Sequence, residues 1–196
     1  MLPDFDQLGN LPEAVYPCSK SELHHQFVQR FPASTQRKTI FNGFSDLYNL
    51  VQAQGISATM WVDGSFTTRK LNPRNQNQEL EPRDIDVVTF MDYDELNALP
   101  LSKRLQLEKF LNAQEDTKRS FQSHTFMIGS CQTDHPYFGE FEKFRRSFRD
   151  WFSRHSPPSI RTMTNSNLPY VGPRKGFLEI TIGAPLSAPR IDDRRL

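Results

Sequence analysis

Trp61-Val-Asp-Gly-Ser-Phe66 and, past a polar stretch, Pro82-Arg-Asp-Ile-Asp-Val-Val88 decide the reading of this chain. Ile56 to Val62 is a short apolar, β-branched run that predicts a strand, and Gly64-Ser65 stands at its end. Asp84 to Phe90 predicts a second strand with alternating carboxylates at its start. Side chains alternate faces along a strand, so Asp84 and Asp86 share one face while Ile85 turns into the core. Two carboxylates held side by side repel unless a cation lies between them, and hard oxygen donors suit Mg²⁺. A glycine lets backbone approach a phosphate closely, and a serine after it can donate a hydrogen bond to that phosphate. Together the two halves describe a cradle for a metal and a nucleotide. Each half alone is a weak signal, because Gly-Ser pairs are common in turns and an Asp-x-Asp is commonly a solvated strand start or an Asx turn.

Upstream of the cradle, Ser34 to Gln54 places Ile40, Phe44, Leu47, Tyr48, Leu50 and Val51 at helical spacing, with Gly55 as a C-terminal cap. Ser19-Lys-Ser-Glu22 reads as a capping box opening a shorter helix through Leu23, Phe27 and Phe31, which Pro32 stops. Residues 1–18, with Pro3, Gly9, Pro12 and Pro17, lack periodicity and read as an extended arm lying on the surface of one domain, 19–187. Between the two motif strands, the Asn/Gln-rich segment 71–80 predicts an inserted polar loop. Downstream, 94–119 is helical by propensity and split by Pro100, and Thr125 to Ile128 predicts a strand. Phe138 to Phe152 carries Phe141, Phe144, Phe148, Trp151 and Phe152 on one side and Lys143, Arg145, Arg146 and Arg149 largely elsewhere, an amphipathic helix. Gly176 to Ile182 predicts the last strand, and 188–196 a charged, disordered tail.

The bulk numbers set limits on this picture. A chain of 196 residues is long enough to bury a core without staples; two cysteines, Cys18 and Cys131, are too few for a disulfide framework, and neither sits in the paired Cys/His spacing that zinc sites use. With 24 Lys plus Arg against 23 Asp plus Glu, net charge gives no sign of a polyanion binder. Neither a secretory signal nor a run long enough to span a bilayer is present, so a soluble, cytoplasmic protein without a membrane partner is expected.

The combination of strand, Gly64-Ser65 and strand-borne Asp84-Ile-Asp86 resembles the polymerase-β nucleotidyltransferase superfamily. It is more closely similar to a group of small bacterial and phage proteins with Trp-(Ile/Val)-Asp-Gly-Ser-Phe followed by Pro-x-Asp-Ile-Asp-Val-Val. That likeness extends to Phe5-Asp6, Gly9-Asn10-Leu-Pro12, Phe27, Arg30-Phe31 and Lys175-Gly176. The resemblance implies a minimal α+β fold, a small mixed sheet packed against helices. It also implies a reaction in which a hydroxyl of a protein or RNA acceptor attacks the α-phosphate of a nucleoside triphosphate and pyrophosphate leaves. By the same resemblance Ser65 would contact phosphates and Asp84 and Asp86 would bind the metals, Mg²⁺ or alternatively Mn²⁺. Several relatives of comparable size act within toxin-antitoxin or phage-defence modules, which brings in a protein partner as a further expectation.

Two features depart from the superfamily pattern. The connection between Ser65 and Asp84 is long, and the later strand that should carry a third carboxylate offers His124 at the matching place. Imidazole suits Mn²⁺ or Zn²⁺ better than Mg²⁺. Glu179 on the last strand is the acidic substitute, with Asp134 and Asp92 behind it, although a charge on a solvent-facing edge explains Glu179 as well, and a satisfied half-buried ring explains His124. The basic set Lys143, Arg145, Arg146 and Arg149, with Arg154, Arg161, Arg174 and Lys175 beyond it, could meet a triphosphate or nucleic acid, although a solvated helix face explains the first four equally well. Arg174 and Lys175, ahead of a strand, are the expected phosphate-side cations. Asp63 reads as a residue that shapes the turn, and His24-His25 point in different directions on their helix. The alternative to an enzyme is a degenerate member that binds a nucleotide or a partner without turnover.

Overall fold

The structure is a computed structural model that describes residues 2–72, 74–112, 123–154 and 174–183. It is an α+β fold built on a five-stranded mixed sheet. Its strands are β1 (Val15–Pro17), β2 (Ala58–Asp63), β5 (Ile85–Asp92), β6 (Ser123–Ser130) and β7 (Phe177–Ile182), arranged in the order β1-β7-β2-β5-β6. β2 runs antiparallel to both β5 and β7, whereas β1 is parallel to β7 and β6 parallel to β5. A separate two-stranded hairpin, β3 (Leu71–Asn72) and β4 (Asn75–Glu79), lies between β2 and β5 in the chain.

The two faces of the sheet are covered differently. On one face, Met60, Val62, Val87, Met91, Leu178 and Ile180 are buried against apolar residues of three helices. Of these, α1 (Lys20–His24) contributes Leu23, α2 (Thr35–Gln52) Ile40, Phe44 and Leu47, and α4 (Leu101–Asn112) Leu107 and Leu111. The capping box at Ser19 and Glu22 is formed as the sequence predicts, and α1 continues into a π-helical turn, His25–Gln29, that brings Phe27 and Val28 into the core. Between β5 and β6 the chain crosses over through α3 (Tyr93–Ala98) and α4, with Pro100 at the break. The opposite face carries Trp61, Val88, Phe90 and Phe177 beneath α5 (Phe138–Phe152), whose Phe152 is fully buried among them. The Arg145 guanidinium lies 5.3 Å from the ring centres of both Trp61 and Phe90, so this basic helix seals an aromatic floor with a cation.

Three local expectations need correction. Within the arm read as lying on the surface, Val15–Pro17 pairs with β7 as the edge strand β1, and Leu11 and Asn10 before it are buried. Segment 71–80 contains the β3-β4 hairpin. There Asn72 accepts from the Arg74 amide at 2.9 Å and donates to Gln78 at 3.0 Å, so side-chain amides do what β-branched residues do elsewhere. The strand around Thr125 is longer at both ends than its apolar middle suggests. The helical segment beyond Asn112, the basic Arg161 and the tail 188–196 lie outside the described residues.

Candidate functional site

Gly64 follows β2 with φ +94°, a conformation that L side chains rarely adopt. A Cβ there would lie 2.9 Å from the Asp86 amide nitrogen and 3.1 Å from the Asp84 carbonyl oxygen, so the glycine lets the turn press against the start of β5. Ser65 opens a 3₁₀ turn, Ser65–Thr67, and stitches it down. Its hydroxyl donates to Asp84 Oδ1 at 2.8 Å and accepts from the backbone N–H groups of Arg83 at 2.8 Å and Asp84 at 3.1 Å. A hydroxyl has one proton and two lone pairs, so Ser65 is fully used in holding the two motifs together. From below, the buried Arg37 donates to the carbonyls of Phe66 at 2.7 Å and Thr68 at 2.6 Å and stacks on Phe31. Burial pulls that guanidinium down to about 10.

Register places three ionisable groups in one row across the sheet. Asp63 faces Asp86, and Asp86 faces His124 on the neighbouring parallel strand. The Asp86 Oδ1 to His124 Nδ1 distance is 3.0 Å, and both side chains keep solvent access, 19% and 30% exposed. Asp63 instead is buried and holds the Lys175 ammonium with both carboxylate oxygens, at 2.5 and 2.6 Å, while Thr67 donates to it at 3.0 Å. Burial pushes the Asp63 carboxyl up and Asp86 adds to the push, while Lys175 and Thr67 pull it back.

Asp63 and Asp86 line a cleft of about 140 Å³, with His124 beside Asp86 but not itself on the wall; the cleft is small beside the roughly 300–1,000 Å³ of pockets that enclose whole small-molecule ligands. Gly64, Ser65, Asp84 and Asp86 all line it, so the residues singled out from the two motifs do meet. Lys70 and Arg83 are on its wall too, neither with an ion-pair partner among the described residues. Burial first, and then the charges of Lys175 and Arg83, pull the Lys70 ammonium down against the opposing pull of Asp84 and Asp63. Crowded cations of this kind are relieved by a bound anion.

Asp84 and Asp86 each keep one carboxylate oxygen without a protein partner among the described residues. Two hard oxygen donors beside an anion-attracting wall fit a divalent cation whose other positions are filled by phosphate oxygens and water. Among the described residues no group of three or more His, Cys, Asp or Glu is placed to hold a metal ion.

The other expected site residues are found elsewhere. Glu179 accepts from the Trp61 indole N–H at 2.8 Å and does not line the cleft. Arg174 donates to Ser153 and reaches Asp150 and Glu13, away from the carboxylates. Lys175 does line the cleft but spends its charge on Asp63. Asp92 caps α3 by accepting from the amides of Asp94 and Glu95. Arg154, one of the basic residues expected to meet a triphosphate, does line the cleft, whereas sequence reasoning passed over Arg83, which stands inside the second motif, and Lys70 and Trp151, which only the folded chain brings there.

Residues 3–181 match a family described as a family of unknown function, DUF6932. The chain belongs to that family. No curated protein matches it, and no solved structure does. Because the DUF6932 match runs from the arm to β7, it takes in every residue of the cleft. Within the described residues of this DUF6932 protein, no helix is long and apolar enough to cross a membrane.

Proposed function

We propose that the protein binds a nucleoside triphosphate with a divalent cation in this cleft and transfers the nucleoside monophosphate to a hydroxyl group of a protein or RNA acceptor. The observation that carries the reading is the stitched turn, in which Gly64 and Ser65 lock against Asp84 while Asp86 meets His124 on the next strand. A bound Mg²⁺ or Mn²⁺ would neutralise the two carboxylates and stabilise negative charge on the transferring phosphoryl group. Asp84 and Asp86 supply its protein oxygens. Lys70 and Arg83 attract and orient the phosphate chain, and the Ser65 hydroxyl can exchange its Asp84 bond for a phosphate oxygen. His124, its ring fixed through Nδ1 by Asp86, takes the proton of the attacking hydroxyl. A cytoplasmic setting agrees with this substrate and with two free thiols.

The test is incubation with each α-labelled triphosphate and Mg²⁺ or Mn²⁺, scoring label on protein and on RNA. Transfer should fall by about 10²-fold or more in His124→Ala, the usual scale for losing a general base. It should be lost in Asp86→Asn, while Glu179→Gln leaves it intact. Robust transfer in both His124→Ala and Asp86→Asn would overturn the reading. One observation favours a second reading, a nucleotide- or partner-binding module without turnover. The position beside Asp86 holds an imidazole where a third carboxylate would complete a two-metal site. That reading expects a triphosphate-induced rise in melting temperature, weakened in an Asp84→Asn, Asp86→Asn double variant, with no label transferred by any variant except His124→Asp.

A further inference from the structure

The cleft is too small for a whole nucleotide, so a ligand whose phosphates sit among Lys70, Arg83 and the carboxylates must carry the rest of itself along the rim. Trp151, in the last turn of α5, is on that rim. It is 45% exposed, in contrast to Trp61, which is 3% exposed and has its indole N–H bonded to Glu179. Three rings hold the Trp151 indole in place: Phe126 edge-on at 5.8 Å, Phe148 at 5.7 Å and Phe152 at 5.4 Å between centroids. Phe126 lies two residues beyond His124 on the same face of β6, so the indole stands next to the ionisable row. A large aromatic surface fixed by packing, left open to solvent and set beside cations is the arrangement that stacks a flat ring at little entropic cost.

Resting on the nucleotide reading above, we infer that Trp151 is the platform for the base, and that this protein takes its nucleotide by stacking rather than by reading base edges. Every base has a π face, so the site accepts all four, with purines ahead of pyrimidines through their larger stacked area. Arg154, which also lines the cleft, is tied to Asp150 one turn back and adds positive charge at the same rim.

Calorimetric titration of the full chain with Mg²⁺-ATP, Mg²⁺-CTP and Mg²⁺-tripolyphosphate separates the two ends of the ligand. The wild type should bind ATP about tenfold or more tightly than tripolyphosphate, with CTP between them. Trp151→Leu should bring the three affinities together while leaving that for tripolyphosphate unchanged, and Trp151→Phe should keep part of the gap. Binding of ATP should quench indole fluorescence in the wild type and not in Trp151→Leu. An ATP preference that survives unchanged in Trp151→Leu overturns the platform, as does a wild type that binds tripolyphosphate as tightly as ATP, although there the anion site stands. Failure of the wild type to bind any of the three removes the nucleotide reading itself.

Discussion

Gly64 is a residue at which local chemistry and site geometry make the same demand. Its φ of +94° excludes other residues on conformational grounds, and the space a Cβ would need is taken by the backbone of Asp84, Ile85 and Asp86. Gly64→Ala should therefore cost about 1–3 kcal/mol, read from the urea unfolding midpoint. It should also part the Ser65 turn from β5, so its triphosphate-induced thermal shift should fall further than its stability does. Unchanged stability would mean that the turn relaxes without strain. Ser65 shows why a motif residue can be read correctly as to place and incompletely as to role. The sequence makes it a phosphate donor, whereas the fold makes it first the fastener between the two motifs.

Among elements, the join between β2 and β7 is secured by a buried ion pair rather than by apolar packing alone. Asp63 at the end of β2 and Lys175 ahead of β7 are both buried, and removing one partner leaves the other charged with no compensation. Lys175→Met should lose about 3–5 kcal/mol at neutral pH by chemical unfolding, and Asp63→Leu added to it should restore much of that. The pH dependence of the single variant has a definite sign. A lone buried Asp63 has its folded pKa raised above its unfolded value, so stability is greatest below the ordinary carboxylate range and is lost as pH rises toward the raised value. A loss in Lys175→Met that stays constant from acid to neutral pH would count against the pair. This contact left no trace in the sequence, since ion pairs between distant residues follow no periodicity. By contrast, α5 was legible to both its ends, because aromatic residues recurring every three or four positions can satisfy only a helix. The same logic explains the misses. β3 and β4 are made of side chains with little strand preference, and β1 is three residues with prolines around it, so tertiary pairing decided both. At the cleft, Asp86 and Asp84, just ahead of β5, were legible because both belong to one local motif, while Lys70 and Trp151 meet them only after the sheet has closed.

For the whole molecule, the arm before β1 is part of the core's closure. Phe5 packs edge-on against Phe27 and Phe31, Leu11 is buried, and the arm's backbone bonds to Arg69 just past the site turn and to Gly176 just before β7. Deleting residues 1–11 should lower the melting temperature by more than 10 °C or abolish the cooperative transition, since buried aromatic surface is uncovered and two backbone anchors go with it. A truncated protein that melts within a few degrees of the full chain would show the arm to be an ornament. The strand order carries a further consequence, concerning time. Among the described strands β7 comes last in sequence, yet it lies between β1, the first of them, and β2. During synthesis β1 has no neighbour, and β2 has one side unpaired, until residues 177–182 leave the ribosome. The sheet cannot assemble in the order it is made, and exposed strand edges invite association until it does. A nascent chain of this protein should stay sensitive to protease until β7 has emerged, then become resistant in one step as that strand slides into its place.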